Sequence, residues 1–232
     1  MLIDDNILKK IIDTAEVGKI DIVFEVGTGN GILTAELCKR AYRVVSCEVD
    51  NELVRIARRN LTKCRNLVLV NGDGFNTDYD FNVFVSNLPY SKSRAAIEWL
   101  AEKDFERAVV LVQKEFAAKL FSERGSNYRA VSALAQYCFG MKQVMHVDKN
   151  AFRPRPKVDS ILLHIISKHK VNRDTIRSLK LLFSFRGKKV SSALKYFKID
   201  ENLSDKRVEK LTAEEAVRLA EKLARERLLQ TI

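Results

Sequence analysis

The sequence predicts an α/β fold, a Rossmann-like domain with a mostly parallel sheet followed by a small C-terminal helical domain. Three observations carry this. Over the first two-thirds of the 232 residues, apolar strand-like runs alternate with segments of helical period. A glycine-rich turn stands between the first such strand and the helix after it. Past about residue 167 the strand-like runs stop and only helical periodicity remains.

The elements follow in order. Asp5 to Glu16 reads as a helix because Ile7, Leu8, Ile11, Ile12 and Ala15 share one face, and Asp21 to Val26 reads as the first strand. Further strands are expected at Arg43 to Cys47, Leu67 to Val70, Val83 to Val85 and Ala108 to Val112, with helices at Ile32 to Arg40, Asn51 to Leu61 and Arg94 to Ala101 between them. After Lys114 a helix and a second one near Arg129 to Tyr137 lead to two strands, Gln143 to Val147 and Ser160 to Ile166, which suit an antiparallel closing pair. Arg173 to Phe185, Val190 to Phe197 and Ala213 to Leu229 then read as helices, so the domains are expected at 1–167 and 168–232.

A composition of 46% hydrophobic residues supports a real core and excludes a disordered tail. There is no stretch of eighteen or more uncharged apolar residues, and the amino end carries Asp4 and Asp5 where a signal peptide needs cations. A soluble cytoplasmic protein without a membrane partner is expected. Cys38, Cys47, Cys64 and Cys138 form no C-x-x-C pair, and His146, His164 and His169 complete no zinc pattern with them, so buried thiols and no metal are expected.

Charge is informative once located. Residues 1–150 hold 21 Lys+Arg against 20 Asp+Glu, whereas residues 151–232 hold 20 against 10, and Arg153 to Lys198 alone holds 13 against 2. Such segregation points to a polyanion as partner, with a solvated helix face as the plain alternative.

Glu25-Val26-Gly27-Thr28-Gly29-Asn30-Gly31 follows a strand and opens a helix, where glycines let backbone approach a nucleotide-like cofactor. Glu48, at the end of the second strand, suits both ribose hydroxyls. Gly72-Asp73-Gly74-Phe75 ends the third with an acid able to accept from an adenine amine. The G-x-G-x-G spacing and Asp73 favour S-adenosylmethionine, and a nicotinamide-dependent oxidoreductase remains open on this motif alone.

Asn87-Leu88-Pro89-Tyr90 directly follows the fourth strand, at the edge where α/β sites form. An adenine amine is a poor nucleophile because its lone pair is delocalised into the ring. Acceptors at Asn87 Oδ1 and the Leu88 carbonyl would draw its N–H groups toward tetrahedral geometry. Pro89 fixes its own φ and restricts Leu88, which would hold that carbonyl outward, and Tyr90 offers a ring for an extruded base.

With these residues in place, the sequence resembles the ribosomal RNA adenine dimethyltransferase family, most closely its small-subunit branch. The likeness runs over Leu2-Ile3-Asp4, the glycine loop with Leu33-Thr34, Glu48-Val49-Asp50, Gly72-Asp73, Asn87-Leu88-Pro89-Tyr90, Gln113-Lys114-Glu115 and Phe152-Arg153-Pro154-Arg155-Pro156-Lys157-Val158-Asp159-Ser160. It implies a class I S-adenosylmethionine-dependent methyltransferase that dimethylates two adjacent adenosines near the 3′ end of small-subunit rRNA. The expected partner is a pre-30S-type particle, approached as a monomer. Phe152 would face Tyr90 across the target base. Leu2, Glu25, Gly27, Gly29, Gly31, Glu48, Val49, Asp73, Gly74 and Asn87 would hold the cofactor. Phe183-Ser184-Phe185-Arg186-Gly187-Lys188-Lys189 is similar to a basic helical segment of that branch, so Arg153, Arg155, Lys157, Arg186, Lys188 and Lys189 would contact RNA.

Two departures stand out. The family's lysine-rich N-terminal stretch usually ends in Gly-Gln-x-aromatic-Leu, and this chain begins at that leucine, Leu2. After Tyr90 the family usually continues Asn-Ile-Ser, and this chain has Ser91-Lys92-Ser93. A ribosome-assembly factor with weak or no catalysis is the alternative from another class.

Overall fold

The computed structural model describes residues 3–197 and 206–229. Leu2 and Lys198 lie outside the described residues. Nine helices and seven strands are described: α1 (Asp5–Ala15), β1 (Ile22–Val26), α2 (Ile32–Cys38), β2 (Arg43–Glu48), α3 (Asn51–Asn60), β3 (Leu67–Asn71), β4 (Val83–Asn87), α4 (Ser93–Leu100), β5 (Arg107–Gln113), α5 (Lys114–Leu120), α6 (Ala130–Cys138), β6 (Phe139–Val147), β7 (Ser160–Ser167), α7 (Arg173–Ser184), α8 (Val190–Tyr196) and α9 (Ala213–Leu229). None of the described helices is long and apolar enough to cross a membrane.

The strands form one sheet in the order β3-β2-β1-β4-β5-β7-β6. β1 to β5 pair in parallel, and β7 runs antiparallel to β5, with Gln113 opposite Ser160 and Arg107 opposite Ile166. Strand order reverses between β1 and β4, and at such a switch point the outgoing chains diverge and leave a crevice at the carboxyl ends. That crevice lies between the glycine loop after β1 and the Asn87 motif after β4.

Alternation along β1 builds both faces. Val23 packs with Ile7, Ile11, Leu37, Val44, Val83, Val109 and Leu162, all at most 5% exposed. Phe24 stacks on Phe81 at 5.3 Å, with Phe84 at 6.2 Å. Helix starts are chemically marked. Asp4 accepts from the Asn6 and Ile7 N–H groups ahead of α1, and Asp50 from those of Glu52 and Leu53 ahead of α3.

Three expectations change. β4 runs on to Asn87, which still pairs with Leu111, so the Asn87 amide sits on the strand end instead of in a following loop. The chain divides into one compact unit of residues 1–96, 104–114 and 140–167 and another of 97–103, 115–139 and 168–232, so helical residues between β5 and β6 join the second unit. There α6 buries Val131, Leu134, Ala135 and Cys138, and Tyr128 meets Phe183 edge-on at 5.4 Å. Helical periodicity alone does not reveal which neighbour an apolar stripe will meet. Finally, α7 ends at Ser184, and residues 185–189 form a turn, not a basic helix. The Lys188 carbonyl accepts from Val208 N–H, and Lys189 bridges to Arg207.

Candidate active site

The glycine loop is shaped by its backbone. Gly27 and Gly29 take φ of 90° and 58°, the left-handed region that side chains resist. Gly27 N–H donates to the Cys47 carbonyl at 2.8 Å, which ties the loop to β2, and Gly29 N–H donates to Glu48 Oε2 at 2.9 Å. The other oxygen, Glu48 Oε1, accepts from Val49 N–H at 2.9 Å and Asp50 N–H at 3.1 Å. Three backbone donors thus fix this carboxylate, and its remaining lone pairs are acceptors only.

A cavity of about 320 Å³ opens beside it, lined by Gly27, Gly29, Glu48, Leu53, Asn87, Leu88, Pro89, Tyr90, Phe152, Pro154 and Pro156. The glycine loop and the Asn87 motif are in close register, since a side-chain carbon on Gly27 would lie 3.7 Å from Pro89 Cδ and 3.8 Å from the Asn87 carbonyl. The Leu88 side chain is buried at 3% exposure, anchoring the motif. The Tyr90 hydroxyl is tied to Ser160 Oγ at 2.8 Å, and Ser160 is itself fully buried at the start of β7.

Phe152, 6% exposed, belongs to the core cluster and lines the same cavity. The segment that carries it is braced by Asp159. Oδ1 accepts from Lys149 N–H at 3.1 Å, Oδ2 lies 3.2 Å from His146 Nε2, and the Asp159 carbonyl accepts from Lys114 N–H at 3.0 Å. The Lys149 amide, with His146 beside it, holds this carboxyl below its usual range.

A family model described as ribosomal RNA adenine dimethylase matches residues 1–231. The chain belongs to that family. A probable ribosomal RNA small subunit methyltransferase A of Pyrococcus abyssi is 37% identical over 245 residues, covering 98% of this chain and 91% of its own. The ribosomal RNA small subunit methyltransferase A of Mycoplasmopsis pulmonis is 34% identical, covering 84% and 81%. Among solved structures, a dimethyladenosine transferase from Plasmodium falciparum superposes with a TM-score of 0.81 at 24% identity, covering 97% of this chain and 98% of its own. The 23S rRNA methyltransferase ErmE gives 0.68 at 26%, covering 96% and 99%. The fold is that of a class I methyltransferase.

For a member of the rRNA adenine dimethylase family, several expected cofactor residues stand away from the cavity. Glu25 is fully buried beneath the loop, where its Oε2 accepts from Thr34 Oγ1 and Ser46 Oγ, both at 2.6 Å, and Thr28 Oγ1 lies 2.5 Å from Ser46 Oγ. Among the described residues its Oε1 has no hydrogen-bond partner, and burial pushes the carboxyl up to about 7. Glu25 therefore shapes the loop from below. Gly31 and Gly74 act through packing, since a side-chain carbon would come within 2.9 Å of Leu61 and 2.7 Å of Val26. Val49 is 62% exposed, just past Glu48.

Asp73 Oδ1 accepts from Phe75 N–H, and Oδ2 pairs with Lys92 at 3.1 Å, across two partly exposed side chains. Lys92 is one of the departures seen in the sequence. Of the basic residues, Arg153, Arg155 and Lys157 are exposed on the first unit. Lys188 and Lys189 are exposed and Arg186 half-buried on the second. Sequence reasoning missed Leu53 and the Ser160 tether. Leu53 sits just inside α3, and no sequence signal told that this face looks into the cavity.

Proposed function

We propose that this protein dimethylates the exocyclic amines of two adjacent adenosines near the 3′ end of small-subunit rRNA, using S-adenosylmethionine. It would do so as a monomer on small-subunit particles in the cytoplasm. One observation carries the reading: Asn87 at its strand end and Leu88, held by Pro89, line a single cavity together with Tyr90, Phe152 and the backbone-fixed Glu48. Acceptor-only Glu48 suits a vicinal diol, and the left-handed loop leaves room for a ligand against Gly27 and Gly29. The cofactor, when bound, supplies an electrophilic methyl on a sulfonium.

The chain's own residues do the rest. Tyr90 and Phe152 would clamp an extruded adenine, a stacking worth roughly 1 to 3 kcal/mol per base. Asn87 Oδ1 and the Leu88 carbonyl would accept the two amine hydrogens and restore lone-pair character to the nitrogen. Among the described residues neither acceptor has another hydrogen-bond donor. No strong base is needed, because the amine becomes acidic only after it has taken the methyl. Rigid acceptors cost little reorganisation in the transition state.

Asn87→Ala should lower turnover on unmethylated small subunits by about 10² to 10³, the range for loss of one preorganised polar group. Although the family resemblance also set Asn87 among the cofactor contacts, its amide is assigned here to the target amine, so S-adenosylmethionine affinity by calorimetry should stay within about twofold, a change below ~0.5 kcal/mol. Near wild-type turnover in this variant would overturn the role of Asn87. Modification mapped elsewhere than two adjacent adenosines would overturn the substrate.

A further inference from the structure

At the amino ends of the strands, away from the candidate site, three connectors lead into β1, β2 and β3, and hydrogen bonds knit them into one plate. Tyr42 N–H donates to the Asp21 carbonyl at 3.0 Å, and Val44 N–H donates to the Asn66 carbonyl at 2.9 Å. Lys19 Nζ donates to the Lys39 carbonyl at 2.7 Å, and Asn66 Nδ2 donates to the carbonyls of Cys38 at 3.1 Å and Ala41 at 3.0 Å. Side chains on these connectors are held by a fixed backbone.

What the plate presents is cationic. Lys19, Lys39, Arg43, Lys63 and Arg65 are exposed, and Arg40 is half-buried. The acids on the same connectors are Glu16 and Asp21. Asp21 is buried and held by Arg107 at 2.6 Å, while Glu36 of α2 engages Lys39 and Arg40. Among the described residues Arg43, Lys63 and Arg65 make no ion pair. Two apolar side chains stand among them, Ile20 at 89% exposure and Tyr42 at 65%. Residues 1–150 hold 21 basic and 20 acidic residues, so six cations here leave the rest of that stretch net acidic. The concentration runs against the trend of its own domain.

We infer that this plate is a second RNA-contact surface, taking phosphates on Arg43, Lys63 and Arg65 and stacking an unpaired base on Tyr42. It rests on the rRNA reading and extends it to the opposite end of the sheet. Guanidinium groups match phosphate in fixed, bidentate geometry, and a free aromatic face beside them is the pairing that single-stranded or looped RNA uses. An acidic protein would answer the charges but not call for an uncovered ring. Distance is no obstacle, because β1 has five residues. Such a strand spans only about 16 Å, so a structured RNA at one end readily reaches the other.

The test uses the intact protein, with binding measured over a salt series both to unmethylated small subunits and to protein-free small-subunit rRNA. The triple variant Arg43→Ala, Lys63→Ala, Arg65→Ala should flatten the log-log salt slope by about 2 to 3 on both, from roughly 0.7 to 0.9 per phosphate contact. Tyr42→Ser should weaken binding about 5- to 150-fold with the slope unchanged, as loss of a stacked base predicts. Melting temperature and S-adenosylmethionine affinity should match wild type in both variants. Unchanged slope and affinity would make the plate a solvated face and overturn the inference. A change on assembled subunits alone would mean a ribosomal protein and also overturn it. A wild-type protein that binds no small-subunit RNA overturns the rRNA reading itself, a result distinct from either.

Discussion

The wall that Tyr90 forms depends on one hydroxyl pair. Ser160 is buried where β7 begins, and its Oγ holds the phenol at 2.8 Å, so the orientation of the ring is fixed. A net hydrogen bond of this kind is worth about 0.5 to 1.5 kcal/mol. Tyr90→Phe, which keeps the ring, and Ser160→Ala should each raise the apparent KM for RNA about 2- to 10-fold. The double variant should be no worse than either, because both remove the same contact. Steady-state kinetics on small subunits decides this, and additive losses would show that the pair does not act as a unit. Tyr90 was legible in the sequence through its motif. Its tether was not, because Ser160 lies 70 residues away and meets it only when β7 folds back against β5.

At the scale of elements, a buried polar chain joins β1, β2, α2 and the glycine loop. Thr28 donates to Ser46, Ser46 and Thr34 donate to Glu25 Oε2, and the unpartnered Oε1 suits a proton. Burial raises this carboxyl from an ordinary 4.5 to about 7. A raised folded value means the contribution to stability is fully present below the unfolded value and is lost as pH rises through about 7. Glu25→Gln keeps the acceptor and carries no charge. Wild type should therefore lose stability between pH 5 and 8 by up to about 3 kcal/mol from this group, and the variant should lose little of it. Urea titrations at four pH values check this, and parallel profiles would sink it. In the sequence Glu25 looked like a cofactor contact because it abuts the glycines. Strand alternation turned it beneath the loop.

At the scale of the molecule, charge is divided between parts. Residues 151–232 carry 20 basic against 10 acidic residues, and Lys188 and Lys189 stand exposed on a turn whose backbone is pinned to residues 207–209. Arg186→Ala, Lys188→Ala and Lys189→Ala together should reduce the salt slope of small-subunit binding by about 2 to 3 and raise the RNA KM, leaving cofactor affinity unchanged. Wild-type salt dependence in this variant would place docking elsewhere. The Arg153-to-Lys157 cations belong to the other compact unit, so the basic stretch continuous in sequence is divided between the two units.

The sequence by itself determined the element types, the parallel sheet with its antiparallel return, and the two motifs, the glycine loop and Asn87 to Tyr90, that border the candidate cavity. These are local matters, because period, strand ends and glycine or proline chemistry act over a few neighbours. Only the tertiary structure decided that α6 packs with α7 and α9, that Gly31 and Gly74 serve packing, and that Glu25 lies under the loop. It also assembled the cationic plate from connectors that β2 and β3 bring together beside β1. Those outcomes depend on which distant surfaces meet, and burial and pairing between remote segments leave no periodic trace in the chain.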